Sequence, residues 1–274
     1  MCGNRRTRER QRSIRSLLPL PYTNRLLPTN ALIQLRCPYS LPKDYLFDYI
    51  YKLPNDEHMD EAKIEQIFLI SMPFYVLKLG GSLIESANAL MSTLLDLSRE
   101  GYCFLVIPGG GPMADLVREL YDKGLLSDEA AHWMAILAME QYAYLLADGT
   151  GAVLTTEISR SDGVKVLLPY RALQEDDMGM EHSWDYTSDS VAVLIASRLN
   201  SNLIKATDVD GIIIEGKVKK EVSATLLKGI STCLDQGSIR LLKDRSCWIL
   251  NGTDPQKFVN SVLSGKGGTI IKGE

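Results

Sequence analysis

The segment from Phe74 to Ser82 reads FYVLKLGGS and joins a short apolar strand directly to a pair of glycines. A second segment of the same kind, CFLVIPGGGP, runs from Cys103 to Pro112. A run of apolar residues that ends at glycines is typical of a buried strand followed by a tight turn. A helical pattern extends from Ser86 to Arg99 between the two segments. This order predicts a strand–helix–strand unit with glycine loops after its strands.

The alternation of strand and helix patterns continues from residue 73 to the end of the chain. It predicts an α/β domain whose mainly parallel sheet is covered by helices on both faces. Ligands bind beyond the carboxyl ends of the strands in such sheets, and the glycine-rich segments fall at those ends. The further predicted strands are 152–156, 164–168, 202–206, 247–250 and 268–272, with a small hairpin at 212–218. The further predicted helices are 112–123, 128–147, 190–199, 223–228, 236–243 and 255–263.

Bulk composition limits the class of protein. The chain has 274 residues, of which 45% are hydrophobic and 23% charged, and its net charge is −4. These values are typical of a globular protein and argue against a general nucleic-acid binder. The five cysteines lack metal-ligand spacing, so we expect no disulfide framework and a location in the reducing cytoplasm. The apolar runs are far shorter than the roughly 20 residues of a membrane span, so we expect no membrane partner.

Residues 1–72 differ from the rest of the chain, since they are rich in Arg, Pro and Leu and lack sustained periodicity. Seven arginines and one glutamate fall within residues 1–30. We therefore predict a poorly ordered basic extension at 1–72 and a folded domain at 73–274. Two alternatives stay open. One is an over-long start, because Met72 stands just before the first strand, and the other is a basic arm that contacts an acidic partner.

Two lysines stand near the ends of predicted strands. Lys78 lies in the apolar strand before Gly80 and Gly81, and Lys205 precedes the turn-like segment from Thr207 to Gly211. Burying an ammonium group is costly unless an anion lies close by. Glycine N–H groups and two lysines on different strands suit the phosphates on both sides of a transferring phosphoryl group. The alternatives are a lysine that snorkels from a strand end and plain turns at the glycines.

The sequence TSDS at residues 187–190 precedes the helix predicted at 190–199. A carboxylate at a helix N-terminus stays ionised, so Asp189 can orient the basic groups around the phosphoryl group. The alternative is that Ser188 or Asp189 is only the N-cap of the helix. Just before this segment, Trp184 could stack on a flat substrate and His182 could meet an anion.

Other common nucleotide motifs do not fit. The segment from Gly265 to Thr269 lacks the leading glycine of a Walker A loop, and it precedes a strand. No GxGxxG fingerprint follows the first strand, and the motif set of protein kinases is missing. P-loop, nicotinamide-dependent and protein-kinase chemistry are therefore disfavoured.

Taken in order, these motifs resemble the amino-acid kinase superfamily, which includes aspartate, glutamate, N-acetylglutamate, uridylate and isopentenyl-phosphate kinases. The resemblance covers about residues 74–272 and includes the final GTII run from Gly268 to Ile271. It implies a three-layer αβα sandwich with an open sheet, an acceptor half at about 73–185 and a nucleotide half at about 186–274. It also implies ATP and Mg²⁺, with the Mg²⁺ carried by ATP and no metal ligand supplied directly by the protein.

The resemblance implies roles for individual residues. The implied catalytic residues are Lys78, Asp189 and Lys205. The implied nucleotide-binding residues are Gly80, Gly81, Ser82, Lys205, Thr207, Asp208, Asp210 and Gly211. The implied acceptor-binding residues are Gly109, Gly110, Gly111, His182, Trp184 and Asp185. The superfamily often uses a further lysine near its C-terminal nucleotide loop, and Lys243 and Arg240 are the candidates here.

Three stretches resemble a narrower group within the superfamily: DEAAHWMAILAM from Asp128 to Met139, SWD from Ser183 to Asp185 and CWILNG from Cys247 to Gly252. That group is the archaeal kinases of methanofuran biosynthesis, which convert [5-(aminomethyl)furan-3-yl]methyl phosphate to its diphosphate. The resemblance implies a small phosphorylated substrate, and Asp185 is a candidate partner for its amine. We also expect a homo-oligomer, since the apolar helix 128–147 suits either a dimer interface or a core. The alternatives are a kinase of the same fold with a carboxylate, uridylate or isoprenoid-phosphate acceptor, and a non-catalytic nucleotide-binding protein.

Overall fold

The structure is a computed structural model, and it describes residues 72–274. The sequence predicts a folded domain at 73–274, and all of these residues are described. The poorly ordered extension predicted at 1–72 lies outside the described residues, apart from Met72. Between residues 72 and 274, none of the helices has the length and apolar character needed to cross a membrane.

The described residues form alternating strands and helices, as the sequence pattern predicts. The strands are β1 Phe74–Leu79, β2 Cys103–Pro108, β3 Val153–Thr155, β4 Val164–Leu167, β5 Asn202–Thr207, β6 Ile213–Ile214, β7 Lys217–Val218, β8 Glu221–Ser223, β9 Ser246–Asn251 and β10 Thr269–Lys272. The helices are α1 Ala87–Arg99, α2 Gly111–Asp122, α3 Asp128–Ala147, α4 Pro169–Leu173, α5 Ser188–Arg198, α6 Gln236–Leu241 and α7 Pro255–Ser264. Single 3₁₀ turns occur at Gly81–Leu83 and Ala224–Leu227.

The main sheet has eight strands in the order β3-β4-β2-β1-β5-β9-β10-β8. The six strands from β3 to β9 pair in parallel, whereas β10 runs antiparallel to β9 and pairs in parallel with β8. Strands β6 and β7 form a separate small hairpin. The predicted α/β fold with an open, mainly parallel sheet is therefore confirmed. Because β1 and β5 are central neighbours, their carboxyl ends meet at the middle of one sheet edge.

Alternating side chains of the strands divide the core between the two faces of the sheet. In β1, Phe74 and Val76 join the cluster that contains the apolar residues of α5 and α6, whereas Leu77 and Leu79 join the one that contains those of α1 and α7. Helix α3 contributes to both clusters. By the same alternation, Lys78 lies on the face that carries α5. The helix layers and the sheet between them thus bring the start of α5 to the lysine.

Two elements differ from the sequence prediction. Residues 223–228 do not form an α-helix, since β8 ends at Ser223 and a 3₁₀ turn follows. Ser223 accepts a hydrogen bond from the N–H of Thr225, which favours a short turn, and β8 gains its stability by pairing with β10. Helix α4 was not predicted from the sequence, because its five residues are too few to show a helical period.

Candidate functional site

Lys78 and Lys205 lie side by side at the centre of the sheet. They are direct register partners on the parallel strands β1 and β5. Both side chains are buried, with 7% of Lys78 and 4% of Lys205 exposed. Since the strands alternate in the same phase, both ammonium groups point to the face of the sheet that carries α5. The sequence predicts two cations near strand ends, and the register of the sheet makes them neighbours.

Asp189, in the first turn of α5, lies between the two ammonium groups. Its Oδ1 is 2.9 Å from Lys78 Nζ, and its Oδ2 is 2.5 Å from Lys205 Nζ. Lys205 Nζ also donates to the carbonyl of Cys233. Oδ1 accepts no hydrogen bond of normal geometry from the described residues, although Lys78 Nζ is so close. The contact with Lys78 is therefore an ion pair at short distance.

The pKa values of the three groups reflect this geometry. Burial raises the pKa of Asp189, but the attraction of Lys205 and Lys78 outweighs it and lowers the pKa to about 2. Burial lowers the pKa of Lys205, yet the ion pair with Asp189 raises it above its ordinary value. The pKa of Lys78 stays lowered by burial, because the attraction of Asp189 only partly offsets burial and Lys205 repels it. Lys78 is thus the ammonium whose charge is least compensated.

One carboxylate facing two buried ammonium groups leaves an excess positive charge below the surface. A buried charge is costly unless an opposite charge compensates it. The least compensated group, Lys78, lies close to the first glycine loop, with Nζ 3.8 Å from the position that a Cβ on Gly80 would occupy. An anion bound beside Gly80 would supply the missing charge, so these residues fit the phosphates of a nucleotide.

Asp235 is a residue of the candidate site that sequence reasoning missed. Its carboxylate accepts hydrogen bonds from the N–H and hydroxyl of Thr187, Ser190 and Ser238. Its own N–H donates to Asp189 Oδ2 at 3.3 Å. Asp235 therefore ties the start of α6 to the start of α5 and holds Asp189 in place. The available signal was its position before the predicted helix 236–243, where an Asp is a favoured N-cap.

The two glycine loops pack backbone against backbone. A Cβ on Gly81 would lie 2.5 Å from N and Cα of Gly111, and a Cβ on Gly109 would lie 2.7 Å from N of Gly81. The N–H of Gly80 donates to the carbonyl of Ala206, which links the first loop to the end of β5. Only glycine permits this approach, so the loop after β1 and the loop after β2 form one continuous surface.

The segment after β5 contains Asp208 and Asp210, the two aspartates among the predicted nucleotide-binding residues. Ser82 and Thr207 donate to Asp208 Oδ1 at 3.1 Å each, so the first glycine loop is joined to this segment. Asp210 accepts from Lys257 Nζ at 2.6 Å and from Asn251 Nδ2 at 3.1 Å, and the hydrogen bond from Lys257 lowers its pKa. Lys257, in the first turn of α7, was not predicted as a site residue. It is the cation that the structure places beside the predicted nucleotide segment.

The two predicted candidates for a further cation lie elsewhere. Arg240 forms an ion pair with Asp185 at 2.7 Å, on the loop before α5. Lys243 follows α6 with a left-handed φ of 44°, and its carbonyl faces Gly273, near the C-terminal end of β10. Asp185 is itself exposed and engaged with Arg240, so its carboxylate is already paired.

A cavity of about 380 Å³ opens beside the glycine loops. Its lining includes Gly81, Ser82, Gly110, Gly111 and Trp184 from the predicted set, together with Asp115, Arg118, Met139, Thr187 and Ser188. The guanidinium of Arg118 lies 5.1 Å from the ring centroid of Trp184 and 2.7 Å from Asp115 Oδ1. Arg118 was missed because a single arginine on a helix resembles a solvated surface residue.

Not every predicted acceptor residue reaches this cavity. Gly109, His182 and Asp185 are absent from its lining within residues 72–274, although Trp184 lies between the last two in the chain. His182 instead contacts His132, Glu129 and Asp177. The loop therefore turns Trp184 into the cavity, whereas His182 and Asp185 lie outside its lining.

Comparison with known proteins agrees with this fold. The family model described as "Amino acid kinase family" matches residues 73–233. The [5-(aminomethyl)furan-3-yl]methyl phosphate kinase of Methanocaldococcus jannaschii is 36% identical over 207 residues, which cover 70% of this chain and 94% of that protein.

Solved structures share the fold at low sequence identity. The uridylate kinase of Archaeoglobus fulgidus has a TM-score of 0.55 at 18% identity, covering 73% of this chain and 100% of that one. The UMP kinase of Ureaplasma parvum has a TM-score of 0.55 at 15% identity, covering 73% of this chain and 99% of that one. From the match of the family model and the identity to the M. jannaschii protein, the chain belongs to the amino acid kinase family.

Proposed function

We propose that this chain is an ATP-dependent kinase that phosphorylates a small phosphomonoester to a diphosphate, most specifically [5-(aminomethyl)furan-3-yl]methyl phosphate. The observation that carries the proposal is the buried Lys78–Asp189–Lys205 arrangement beside two packed glycine loops. The specific acceptor rests on the named activity of the M. jannaschii relative.

We propose an acceptor half and a nucleotide half, one on each side of the Lys78–Asp189–Lys205 arrangement. We assign the acceptor to residues 73–185, because most of the residues that line the cavity belong there. We assign the nucleotide to residues 186–274, because Asp208, Asp210 and Lys257 lie there. Lys78 and Lys205 sit at the boundary between the halves. A phosphoryl group that moves from one half to the other would pass close to both ammonium groups.

The proposed chemistry is positioning and charge neutralisation. ATP supplies the γ-phosphoryl group, so one acceptor oxygen forms a bond to its phosphorus as the bond to the ADP oxygen breaks. Lys78 compensates the charge on the moving group, Asp189 holds both lysines, and the glycine N–H groups face the phosphates. A phosphomonoester has its second pKa near about 6, so its oxygen needs no general base at neutral pH.

Mg²⁺ belongs to this proposal as the ion carried by ATP, with no ligand from the protein. Its chemistry is to compensate the charge on the phosphate oxygens. The described residues fit that arrangement, because Lys78 and Lys205 already provide cations from the protein side.

Groups in the cavity suit the proposed acceptor. Trp184 offers an aromatic face for a furan ring, and Arg118 offers a cation for its phosphate. For the aminomethyl group we propose Asp115, since this residue lines the cavity and Asp185 does not. This replaces Asp185 as the proposed amine partner.

An ADP-release screen tests the function. With [5-(aminomethyl)furan-3-yl]methyl phosphate we expect kcat/KM of about 10⁴ M⁻¹ s⁻¹ or more. The unphosphorylated alcohol should react at least about 10²-fold more slowly, because it lacks both an ionised nucleophile and the phosphate that Arg118 would hold. Phosphorus NMR should detect a diphosphate product.

The screen separates the alternatives. Faster turnover with UMP or isopentenyl phosphate would assign a different acceptor, and a hydroxamate trap would detect the acyl phosphate of a carboxylate kinase. ATP binding without ADP release for any acceptor would mean a non-catalytic nucleotide-binding protein.

Gly81→Ala tests the packed glycine loops. The added Cβ would lie 2.5 Å from two backbone atoms of Gly111, so one loop must shift. A displacement of about 1 Å at a reacting centre costs on the order of 10²-fold, and we expect kcat/KM to fall by at least that factor. The control is Gly124→Asn, because Gly124 has open space around it and a left-handed φ of 70° that Asn tolerates. Wild-type kcat/KM in Gly81→Ala would contradict the proposal.

Two predictions from the sequence stay part of the proposal. We propose a homo-oligomer that uses the outer face of α3, where Leu137, Tyr144 and Leu145 are exposed. We also propose a cytoplasmic location, since Cys103, Cys233 and Cys247 are all free thiols.

A further inference from the structure

A second cluster of chemically active side chains lies outside the phosphoryl-transfer site. His132 is on α3, while Asp177 and His182 are in the loop between α4 and α5. Each offers one metal-ligand atom, and the three atoms lie within 4.8 Å of one another. The two imidazole rings are stacked, with centroids 3.7 Å apart and an interplanar angle of 12°.

The contacts of His182 leave a position for a cation between its Nε2 and the carboxylate of Asp177. Its Nδ1 contacts Glu129 Oε2, and its Nε2 lies 2.7 Å from Asp177 Oδ2. A neutral imidazole has one N–H, so if Nδ1 donates to Glu129, the lone pair of Nε2 faces a carboxylate. The position between Nε2 of His182 and Oδ2 of Asp177 is therefore one that either a proton or a metal ion can occupy. A carboxylate that accepts the second N–H of a histidine is the usual outer partner of a metal-bound imidazole.

His132 supplies an independent observation. It is 7% exposed, and its Nε2 is buried without a hydrogen-bond partner among residues 72–274. A buried polar atom without a partner costs about 1–3 kcal/mol, so it calls for a ligand. The unpartnered Nε2 is therefore available to a ligand within the cluster.

We infer that His132, Asp177 and His182 form a binding site for one divalent transition-metal ion of the Zn²⁺ class, with Glu129 orienting His182 from outside. Two imidazoles and a carboxylate suit Zn²⁺, Co²⁺ or Ni²⁺ better than Mg²⁺, which prefers oxygen ligands. The two carboxylates carry two negative charges, which one divalent ion balances.

Metal binding requires a small local movement. Ligand atoms on tetrahedral Zn²⁺ stand about 3.3 Å apart, so Nε2 of His182 and Oδ2 of Asp177 must separate by about 0.6 Å. The ring of His182 must also tilt out of its stack with His132, because parallel rings do not aim their lone pairs at one point. Asp177 and His182 lie on a connecting loop rather than in a helix or strand, which makes this movement feasible.

A metal ion at this site would hold the loop between α4 and α5 against α3. Trp184 and Thr187 follow His182 in the same loop and line the cavity. The metal ion takes no part in phosphoryl transfer. The inference that the metal ion binds does not depend on the proposed function. Any effect of the ion on the affinity for the acceptor does depend on that function.

Calorimetry on the full chain without a histidine tag tests the inference. After chelation and dialysis, we expect Zn²⁺ to bind at one equivalent per chain with micromolar or tighter affinity, and Co²⁺ to give a ligand-field absorption band. The variants Asp177→Asn and His182→Gln should lose at least tenfold in Zn²⁺ affinity, and Glu129→Gln should lose about 10- to 100-fold. Asp177→Asn is a mild change, because Oδ1 can still accept from the N–H of Gly179.

The matched control is Asp176→Asn. Asp176 is the neighbouring exposed carboxylate, and it pairs with Arg198 instead of the histidines. This variant should bind Zn²⁺ as the wild type does. The inference is overturned if the wild type binds neither Zn²⁺ nor Co²⁺ at one equivalent, or if Asp177→Asn and His182→Gln retain wild-type affinity. Since these are binding measurements, they do not depend on kinase activity.

Discussion

Replacing Lys78 with Ala is expected to lower kcat about 10³-fold, with a change in KM for ATP of less than about tenfold. Lys78 is the ammonium whose charge Asp189 compensates least, and it lies beside the first glycine loop. Its charge would therefore count most when negative charge shifts in the transition state. Steady-state ADP release with the best acceptor measures both constants.

Lys78→Ala should still fold, which makes its kinetics interpretable. The variant leaves Asp189 paired with Lys205 at 2.5 Å, so the buried site keeps one positive and one negative charge. Lys123→Ala is the control, because Lys123 is an exposed lysine just after α2 and, among residues 72–274, it pairs with Glu119 on that helix. If Lys78→Ala had the wild-type kcat, the catalytic assignment of Lys78 would be wrong.

Replacing Asp189 with Asn is expected to lower the free energy of unfolding by about 3–5 kcal/mol and to abolish most activity. The amide occupies the same volume, but two buried ammonium groups then face each other without a carboxylate. Breaking a buried ion pair by removing one partner is costly, since the remaining charge is uncompensated. Urea denaturation with a single fitted transition measures the loss.

A second substitution separates charge from packing. Lys78→Met in the Asp189→Asn background removes one of the two uncompensated charges, so it should restore part of the stability but none of the activity. The control is Asp96→Asn, because Asp96 is an exposed helical aspartate paired with Arg99 and should change stability by less than about 1 kcal/mol. A loss below about 1 kcal/mol in Asp189→Asn would show that the buried ion pairs do not stabilise the fold.

Much of the fold could be predicted from local sequence. Strand β1 and helix α3 have the predicted bounds, because a run of apolar residues ending at glycines and a capped helical pattern are each decided by neighbouring residues. The short β8 and α4 could not be predicted, because tertiary contacts rather than periodicity stabilise them. The family and the assignment as a phosphotransferase, predicted from ordered motifs, are confirmed by the comparisons.

The candidate site was predictable as a set of positions but not as an arrangement. Lys78, Lys205 and Asp189 could be chosen from the sequence because charged residues are unusual at the ends of buried strands and notable at the start of a helix. Their individual roles stay predictions. Asp235 and Arg118 could not be chosen, because an N-cap aspartate and a helical arginine are common residues without functional meaning until their neighbours are known.

The sequence by itself determined which residues form the strands other than β8, which loops are built from glycine, and where cations stand along the chain. These features depend on apolar periodicity and on backbone freedom, which are local properties. Only the tertiary structure decided that Lys78 and Lys205 are register partners, that Asp189 lies between them, and that Trp184 faces the cavity while His182 faces His132. The physical reason is that strand pairing and helix packing join residues that are far apart in the chain, and such contacts leave no periodic trace in the sequence.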